Sequence, residues 1–247
     1  MKTLVKTFPF VLVVIMAACI KNGKDDTGNE TIENCMISRL SQQGDTSALS
    51  TYYSYNTQGL PTRIKAVNYE INFSYNTNQV IQTEGSHVTV YTIGTDSLAQ
   101  YAIVTNGSNV DSTVFLYNSE KYRVKSIHYF NGIKKDSIGY VIENDNVKSM
   151  TYYNEYGYVN YFRNFIYHSN LENKHWMYTK LNGDYGYFYY PWLGKPNKNL
   201  LKSSSQYSDL DNYNYQFDQK GKIEKIQLTI FGTPDITYSI QVGHTCN

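Results

Sequence analysis

Aromatic side chains are the most prominent candidates for binding chemistry, because residues 152–192 hold 16 of the chain's 38 phenylalanine, tyrosine and tryptophan residues. Tyrosine and tryptophan rings form stacking surfaces for sugars and protein partners, although such stripes more often fill a sheet core. In the stretch GDYGYFYYPWLG, Tyr187 and Tyr189 would share one side of an extended strand, and Trp192 would follow at the turn. We therefore predict Tyr187, Tyr189 and Trp192 as candidate ligand-binding residues, with a core role as the alternative.

Catalytic and metal-binding motifs are absent from the sequence, so we predict no catalytic residue, no metal site and no cofactor. Residues 94–98, GTDSL, resemble the Gly-Asp-Ser-Leu block of one esterase class, but the inserted threonine favours a simple turn. The five histidines are scattered along the chain and do not have metal-ligand spacing. Carboxylate pairs that hydrolyse glycosides are distant in sequence, so a carbohydrate hydrolase stays open as an alternative.

Short Asp-Ser sequences are candidates for modification. An Asp-Ser pair followed by a small or aliphatic residue is similar to the triplet at which Bacteroidota O-glycosylate exported proteins. The resemblance implies Ser97, Ser112 and Ser137 as candidate O-glycosylation sites. Asp-Ser is also ordinary turn chemistry, and that alternative remains open.

The N terminus has the features of an export signal. Residues 1–18, MKTLVKTFPFVLVVIMAA, carry two lysines, then an apolar run, then two small residues. The apolar run, residues 8–18, is shorter than the about 20 residues that a membrane-spanning helix needs. Residues 16–19, MAAC, resemble the lipobox of bacterial lipoproteins, which implies that Cys19 is acylated and becomes the mature N terminus.

The next segment, residues 19–33, is polar and lacks apolar periodicity, so we predict a flexible tether. Its Lys24-Asp25-Asp26 is similar to the signal for surface export in Bacteroidota lipoproteins. We therefore expect a lipid-anchored protein of the outer membrane, exposed at the cell surface. The near-neutral charge of the whole chain, +1, indicates no nucleic-acid partner.

Two cysteines remain after Cys19 is assigned to lipid. Cys35 opens the folded part and Cys246 lies next to the C terminus. Two thiols in an exported chain most often pair, so we predict a disulfide between them. This disulfide would place the strand that holds Cys35 beside the last strand, residues 236–242.

A repeated motif of aromatic, Asn or Asp, two free positions and Gly indicates hairpins, because Asn opens a type I turn and Gly tolerates positive φ. The motif begins at Tyr55, Tyr153 and Phe217, and copies without the glycine begin at Tyr75 and Tyr117. Flanking segments alternate polar and apolar residues, as strands do. The sequence therefore predicts an all-β protein of twelve to sixteen antiparallel strands.

The hairpins resemble the YD repeats of Rhs-type proteins and of related Bacteroidota lipoproteins, most clearly in residues 53–64 and 215–226. The resemblance implies an antiparallel meander that forms one large twisted sheet, with partial curling as an alternative, within a single domain of residues 34–247. We expect residues 192–205, WLGKPNKNLLKSSS, to form a long crossing loop or an irregular insertion before the final hairpin. The predicted function is a non-enzymatic scaffold that binds a glycan or an envelope protein, and a purely structural role is the other alternative.

Overall fold

A computed structural model describes residues 35–42, 50–174, 190–207, 209–231 and 235–246. The predicted leader (1–18), the tether (19–33) with Cys19, and the aromatic residues Tyr187 and Tyr189 lie outside these ranges. The described residues form sixteen strands and one short 3-10 helix, Pro191–Leu193. The strands are β1 (Cys35–Gln42), β2 (Ser50–Tyr55), β3 (Pro61–Lys65), β4 (Glu70–Asn76), β5 (Gln79–Glu84), β6 (His87–Ile93), β7 (Ala99–Asn106), β8 (Asn109–Tyr117), β9 (Arg123–Phe130), β10 (Ile133–Glu143), β11 (Asn146–Tyr153), β12 (Val159–Glu172), β13 (Asn199–Gln206), β14 (Asp209–Phe217), β15 (Ile223–Phe231) and β16 (Ile236–Cys246).

The sheet closes into a barrel. Every strand pairs antiparallel with its neighbours in sequence, and β1 also pairs with β16, from Cys35 opposite Cys246 to Gln42 opposite Ile240. Cys35 and Cys246, which are 211 positions apart, form a disulfide at this seam. Closure gives hydrogen-bond partners to both edges that an open sheet would leave exposed.

The all-β, antiparallel prediction is confirmed, whereas the prediction of one large twisted sheet is wrong. Hairpins have the same local pattern in an open sheet and in a barrel. The difference lies in one pairing between the two ends of the chain. The predicted disulfide placed these two strands side by side, and that pairing is confirmed, but the resemblance to an open meander led to a sheet without closure.

The repeated motif builds the same turn at several positions. In the β2–β3 turn, Asn56 N–H donates to Leu60 O at 2.9 Å, and Gly59 N–H donates to Asn56 O at 3.0 Å. The Asn56 side-chain oxygen accepts hydrogen bonds from the backbone N–H groups of Gln58 and Leu60. Gly59 adopts a φ of +77°, which favours glycine. The same pattern recurs in the turns that begin at Asn118, Asn154 and Asp218.

The two copies that lack the glycine differ from each other. In the copy at Asn118, Lys121 occupies the glycine position and adopts a φ of +71°, so the turn keeps its shape. In the copy at Asn76, the chain instead makes a two-residue turn that ends at Gln79.

The tyrosines that precede these turns connect one hairpin to the preceding hairpin through hydrogen bonds from their hydroxyl groups. The Tyr55 hydroxyl donates to Ile37 O at 2.7 Å, and the Tyr117 hydroxyl donates to Ala99 O at 2.8 Å. Three further tyrosine hydroxyls bind backbone carbonyls 14 to 20 residues earlier in the chain: Tyr75, Tyr167 and Tyr215. Burial raises the pKa of Tyr55 to about 12, so its hydroxyl remains a hydrogen-bond donor at neutral pH. The tyrosine excess therefore has a structural role in this part of the fold.

The inner face of the barrel is mainly apolar. Alternate residues of each strand point inward, as the period of two requires. Their side chains form one core cluster, in which the largest fully buried apolar members are Ile64, Met150, Leu201 and Ile223.

Residues 199–206 correct the prediction of a long crossing loop at 192–205. They form β13, because Leu200 and Leu201 are buried and the following serines pair with β12 and β14. The polar composition of this segment led to the loop prediction. Serine is nevertheless accepted in a strand when the neighbouring strands form hydrogen bonds with its backbone.

The outer face differs between the two halves of the barrel. Outward-facing residues of β14–β16 and β1–β4 are mostly polar, and we call them the polar wall. Its clearest row of cross-strand partners spans five strands and consists of Gln216, Lys225, Gln241, Ser41 and Ser50. The neighbouring inward positions Tyr213, Ile226 and Val242 are buried, which fixes the outward direction of this row.

Outward-facing residues of β5–β9 are mostly apolar, and we call them the apolar wall. One cross-strand row consists of Ile81, Val90 and Ile103, and a second consists of Tyr101, Val114 and Ile127. No helix among the described residues is long and apolar enough to cross a membrane.

Candidate functional site

A cavity of about 540 Å³ lies inside the barrel, against the inner faces of β5–β11 and the segment 190–197. It combines aromatic rings with charged and hydroxyl side chains, whereas the interior beside β13–β16 and β1–β4 is packed mainly with apolar side chains, apart from a buried cluster of Arg163, Ser204 and Asp211. We take this cavity as the candidate functional site.

The strand register decides which side chains meet in the cavity. Thr113, His128 and Asp136 are cross-strand partners in one row over β8, β9 and β10. Phe115, Ser126 and Ile138 form the next row on the same inner face. Residues two apart on a strand face the same side, so both rows line the cavity together.

At one end, which we call the acidic end, His128 lies between two carboxylates. Its Nδ1 is 3.2 Å from Asp136 Oδ2, and its Nε2 is 3.2 Å from Asp111 Oδ1. Carboxylates only accept hydrogen bonds, so both contacts are satisfied together when both ring nitrogens carry a proton. In that form the cluster holds two negative charges and one positive charge.

Tyr152 extends this cluster. Burial is the main cause that raises the pKa of Tyr152 to about 12, and a hydrogen bond to Asp136 adds to it. The Tyr152 hydroxyl is therefore a donor at neutral pH. Its ring stacks on Tyr161 at 5.1 Å between centroids, which holds it in place.

The opposite end, which we call the basic end, carries Arg123 and Lys195. The Arg123 guanidinium lies over the ring of Tyr140 at 4.9 Å, and Lys195 Nζ lies over the ring of Tyr122 at 5.4 Å. Both contacts are cation–π interactions. Burial, followed by the nearby Asp145 carboxylate, raises the pKa of Tyr122 to about 12.

The segment 190–197 enters the barrel and forms part of the cavity lining. Lys195 N–H donates to Lys121 O at 2.9 Å, and this bond ties the segment to the β8–β9 turn. Gly194 has a φ of +105°, and a Cβ there would lie 2.9 Å from Lys121 O. Only glycine fits so close to the turn backbone.

Trp192, one of the predicted ligand-binding residues, is 4% exposed and belongs to the core. Its ring packs against Tyr190, Phe73 and Tyr91 at centroid distances of 5.0, 5.7 and 5.7 Å. It therefore offers no stacking surface to solvent, because the segment folds into the barrel. The other two predicted residues, Tyr187 and Tyr189, lie outside the described residues.

The three candidate glycosylation serines have different surroundings. Ser97 is exposed in the β6–β7 turn, and Ser112 is half-buried on the outer face of β8. Ser137 is only 2% exposed, opposite Tyr153 on the neighbouring strand. Its hydroxyl is therefore inaccessible to a modifying enzyme in the folded barrel.

The esterase-like stretch 94–98 forms the β6–β7 turn, with Gly94 N–H donating to Leu98 O at 2.8 Å. In the described part of the chain, no group of three or more His, Cys, Asp and Glu side chains is arranged to hold a metal ion.

Sequence reasoning missed Asp111, Ser126, His128 and Asp136 as a group. Asp111 and Asp136 entered only through their Asp-Ser pairs, and His128 was one of the scattered histidines. A usable signal was the hairpin itself, since the short turn between β9 and β10 pairs His128 with Asp136 across the strands. Asp111, on β8, comes close only through the register of a second hairpin.

Comparison with known proteins identifies the fold. No family model and no curated protein matches the chain. Among solved structures, a porin-like protein from Bacteroides uniformis is 17% identical with a TM-score of 0.70, over 85% of this chain and 98% of that one. A porin-like protein from Bacteroides vulgatus is 12% identical with a TM-score of 0.56, over 86% and 99%. At these identities the likeness is one of fold: the chain shares the closed antiparallel β-barrel of porin-like proteins.

Proposed function

We propose that the protein is a lipid-anchored, non-enzymatic envelope protein that binds a small glycan in the cavity of its barrel. The observation that carries this proposal is a cavity lined by both aromatic rings and polar groups inside a mainly apolar interior. Its volume of about 540 Å³ lies within the range of about 300–1,000 Å³ that is common for small-molecule sites.

Glycans suit the chemistry of this lining. Aromatic faces stack against the apolar faces of sugar rings, and carboxylate and hydroxyl groups bind sugar hydroxyls. Tyr91 and Phe115 supply stacked rings with centroids 6.4 Å apart, and both line the cavity. An envelope-protein partner is the alternative, and neither alternative involves nucleic acid.

Acylation of Cys19 would hold the barrel at the outer membrane without crossing it. Membrane-spanning barrels carry an apolar outer band about 25 Å tall, and an outward Lys or Arg near the midplane costs about 2–4 kcal/mol. The polar wall, with Lys225 and Arg63 on its outer face, supports a position outside the bilayer. The fold shared with porin-like proteins of Bacteroides supports an outer-membrane location.

Anchoring is tested by metabolic labelling with a palmitate analogue. The natural chain should be labelled and partition into detergent, and Cys19→Ala should lose both properties. A labelled Cys19→Ala variant would contradict acylation at this residue. Protease treatment of intact cells tests surface exposure separately, because a protein facing the periplasm would be protected.

Glycan binding is tested with the mature, detergent-purified protein on a glycan array, followed by calorimetry. Arg123→Met keeps the length of the side chain but removes the charge of the basic end, so it should weaken a genuine cavity ligand. Lys202→Met is the matched control, because Lys202 is exposed on β13, away from the cavity. A blank array, or equal weakening by both variants, would contradict cavity binding.

Glycoside hydrolysis is the second candidate, since the cavity contains two carboxylates, Asp111 and Asp136. Both carboxylates contact the same His128 imidazole at 3.2 Å, so neither stands apart to act alone as the acid or the nucleophile of a glycosidase pair. We therefore favour binding without turnover. Incubating each array ligand with the protein and measuring new reducing ends tests the hydrolase alternative.

A further inference from the structure

Ser126 has a buried hydroxyl that lines the cavity. Its side chain is 8% exposed, and among the described residues its Oγ has no hydrogen-bond partner. Its cross-strand neighbours are Phe115 and Ile138, and neither has a polar group to offer. Buried hydroxyls in proteins are nearly always hydrogen-bonded, so this position is suited to a polar atom of a ligand.

The acidic end lies one inward position farther along the same strand. Ser126 and His128 are two residues apart on β9, a distance of about 7 Å. The side chains of Asp111 and Asp136 are 42% and 22% exposed, so each carboxylate keeps accessible lone pairs beside its contact with His128. A single sugar ring can span the distance between Ser126 and these carboxylates.

The cations of the cavity do not neutralise the acidic end. Arg123 pairs with Tyr117, which lies six residues along β8 from Asp111, or about 20 Å. The guanidinium lies over the rings of Phe115 and Tyr140, and Lys195 lies over Tyr122. Two carboxylates beside a single imidazole leave the acidic end net negative.

We propose that the cavity selects amino sugars with a free amine, a specificity that rests on the proposed glycan binding. The ammonium group would bind Asp111 and Asp136, and a ring hydroxyl would bind Ser126 Oγ. The apolar side of the sugar ring would lie against the parts of Phe115 and Tyr91 that line the cavity. An N-acetylated sugar has no charge to offer and places an acetyl group where the ammonium would lie.

The test compares two ligands that differ only in acetylation: the tetramer of glucosamine and the tetramer of N-acetylglucosamine. Calorimetry uses the mature, detergent-purified protein at pH 5.5, so that most of the amines of the ligand are protonated. The Kd of the glucosamine tetramer should be at least tenfold lower, and added salt should weaken only this ligand. This comparison uses the natural protein, so it does not depend on the folding of a variant.

Variants then assign the selectivity to residues. Asp111→Asn and Asp136→Asn should each reduce the tenfold preference to near unity, whereas Ser126→Ala should weaken both tetramers by a similar factor. Glu224→Gln is the matched control, because it removes one carboxylate from the exposed part of β15 and should change neither Kd.

The two proposals fail in different ways. Equal Kd values for the two tetramers, or tighter binding of the acetylated one, would overturn the amine specificity and leave glycan binding intact. Preference that survives in both aspartate variants would also overturn it. Binding of neither tetramer would overturn it as well, and a blank glycan array in addition would overturn the proposed function.

Discussion

The two halves of the barrel are built from the same hairpins but distribute apolar side chains in opposite ways. In the half formed by β13–β16 and β1–β4, inward residues such as Ile64 and Leu201 are 1% exposed, and the outer face is the polar wall. In the half formed by β5–β11, part of the inner face lines a cavity with charged groups. The outer face of β5–β9 in that half is the apolar wall.

This difference shows that a closed barrel does not by itself determine whether its outer face contacts lipid or water. Strand pairing supplies the backbone hydrogen bonds in lipid and in water alike. The outward-facing side chains therefore decide which of the two the barrel can contact. A porin-like fold is therefore compatible with a barrel that stands outside the bilayer. The comparison of the two halves also separates residues that hold the fold from residues that are available for a ligand.

Loss of the disulfide at the seam between β1 and β16 should have the largest effect on stability. Removing the disulfide with Cys35→Ser and Cys246→Ser should lower the free energy of unfolding by about 5 kcal/mol, because the bond closes a loop of most of the chain. Urea unfolding measures this, and reduction of the natural protein is the control that should reproduce it. An unchanged urea midpoint would show that the β1–β16 pairing alone holds the seam.

The buried cluster of Arg163 on β12 with Ser204 and Asp211 on β13 and β14 should respond to mutation differently from the acidic end of the cavity. Arg163 is 4% exposed and contacts Asp211 Oδ2 at 3.0 Å, so Arg163→Met should cost about 3–5 kcal/mol by leaving a buried charge unpaired. His128 is 36% exposed in the cavity, so His128→Gln should cost under about 1 kcal/mol. Urea unfolding of both variants measures the contrast.

A double variant provides the control for this contrast. Arg163→Met combined with Asp211→Leu should recover most of the loss, because it removes the unpaired carboxylate as well. Equal costs for Arg163→Met and His128→Gln would contradict the distinction between a buried structural cluster and an accessible one.

A lysine on the apolar wall tests whether this wall contacts water or lipid. If the barrel stands in water, Val90→Lys should change the free energy of unfolding by less than about 1 kcal/mol, as surface substitutions do. A lipid-facing position would cost about 2–4 kcal/mol. Urea unfolding of the mature protein in lipid vesicles measures this cost, because a lipid-facing and a water-facing position differ only when a bilayer is present. Thr229→Lys on the polar wall is the matched control.

Low pH should weaken the β14–β15 turn but not the β8–β9 turn, and this is the smallest of the expected effects on stability. Hydrogen bonds from the backbone N–H groups of Lys222 and Lys220 lower the pKa of Asp218 in the β14–β15 turn. Its folded pKa lies below its unfolded value of about 4, so the stabilisation is complete above that pH and is lost as the pH falls through the folded pKa. Asp218→Asn should remove this component of the acid dependence.

The melting temperature of the natural chain and of Asp218→Asn, measured from pH 6 to pH 2, checks this expectation. The β8–β9 turn has Asn118 at the same position, which cannot titrate, so Asn118→Asp should introduce the dependence that Asp218→Asn removes. Parallel curves for all three proteins would contradict the role of Asp218.

The sequence predicted local structure well. Turns at Asn56, Asn154 and Asp218 follow from side-chain oxygens that bind nearby backbone N–H groups, and these contacts need no distant residue. The alternation of polar and apolar residues predicted strands for the same reason. It failed at residues 199–206, where burial by neighbouring strands outweighs a polar composition.

By itself, the sequence determined the all-β class, the antiparallel hairpins and the turn geometry, because each depends on residues within a few positions of one another. Only the tertiary structure decided that the sheet closes, that Trp192 is buried, and that Asp111, His128 and Asp136 meet. Closure depends on pairing between the two ends of the chain, and Trp192 is buried because the segment 190–197 enters the barrel. The three polar side chains meet through the register of two successive hairpins, and a shift of one residue in either hairpin would turn side chains to the outer face.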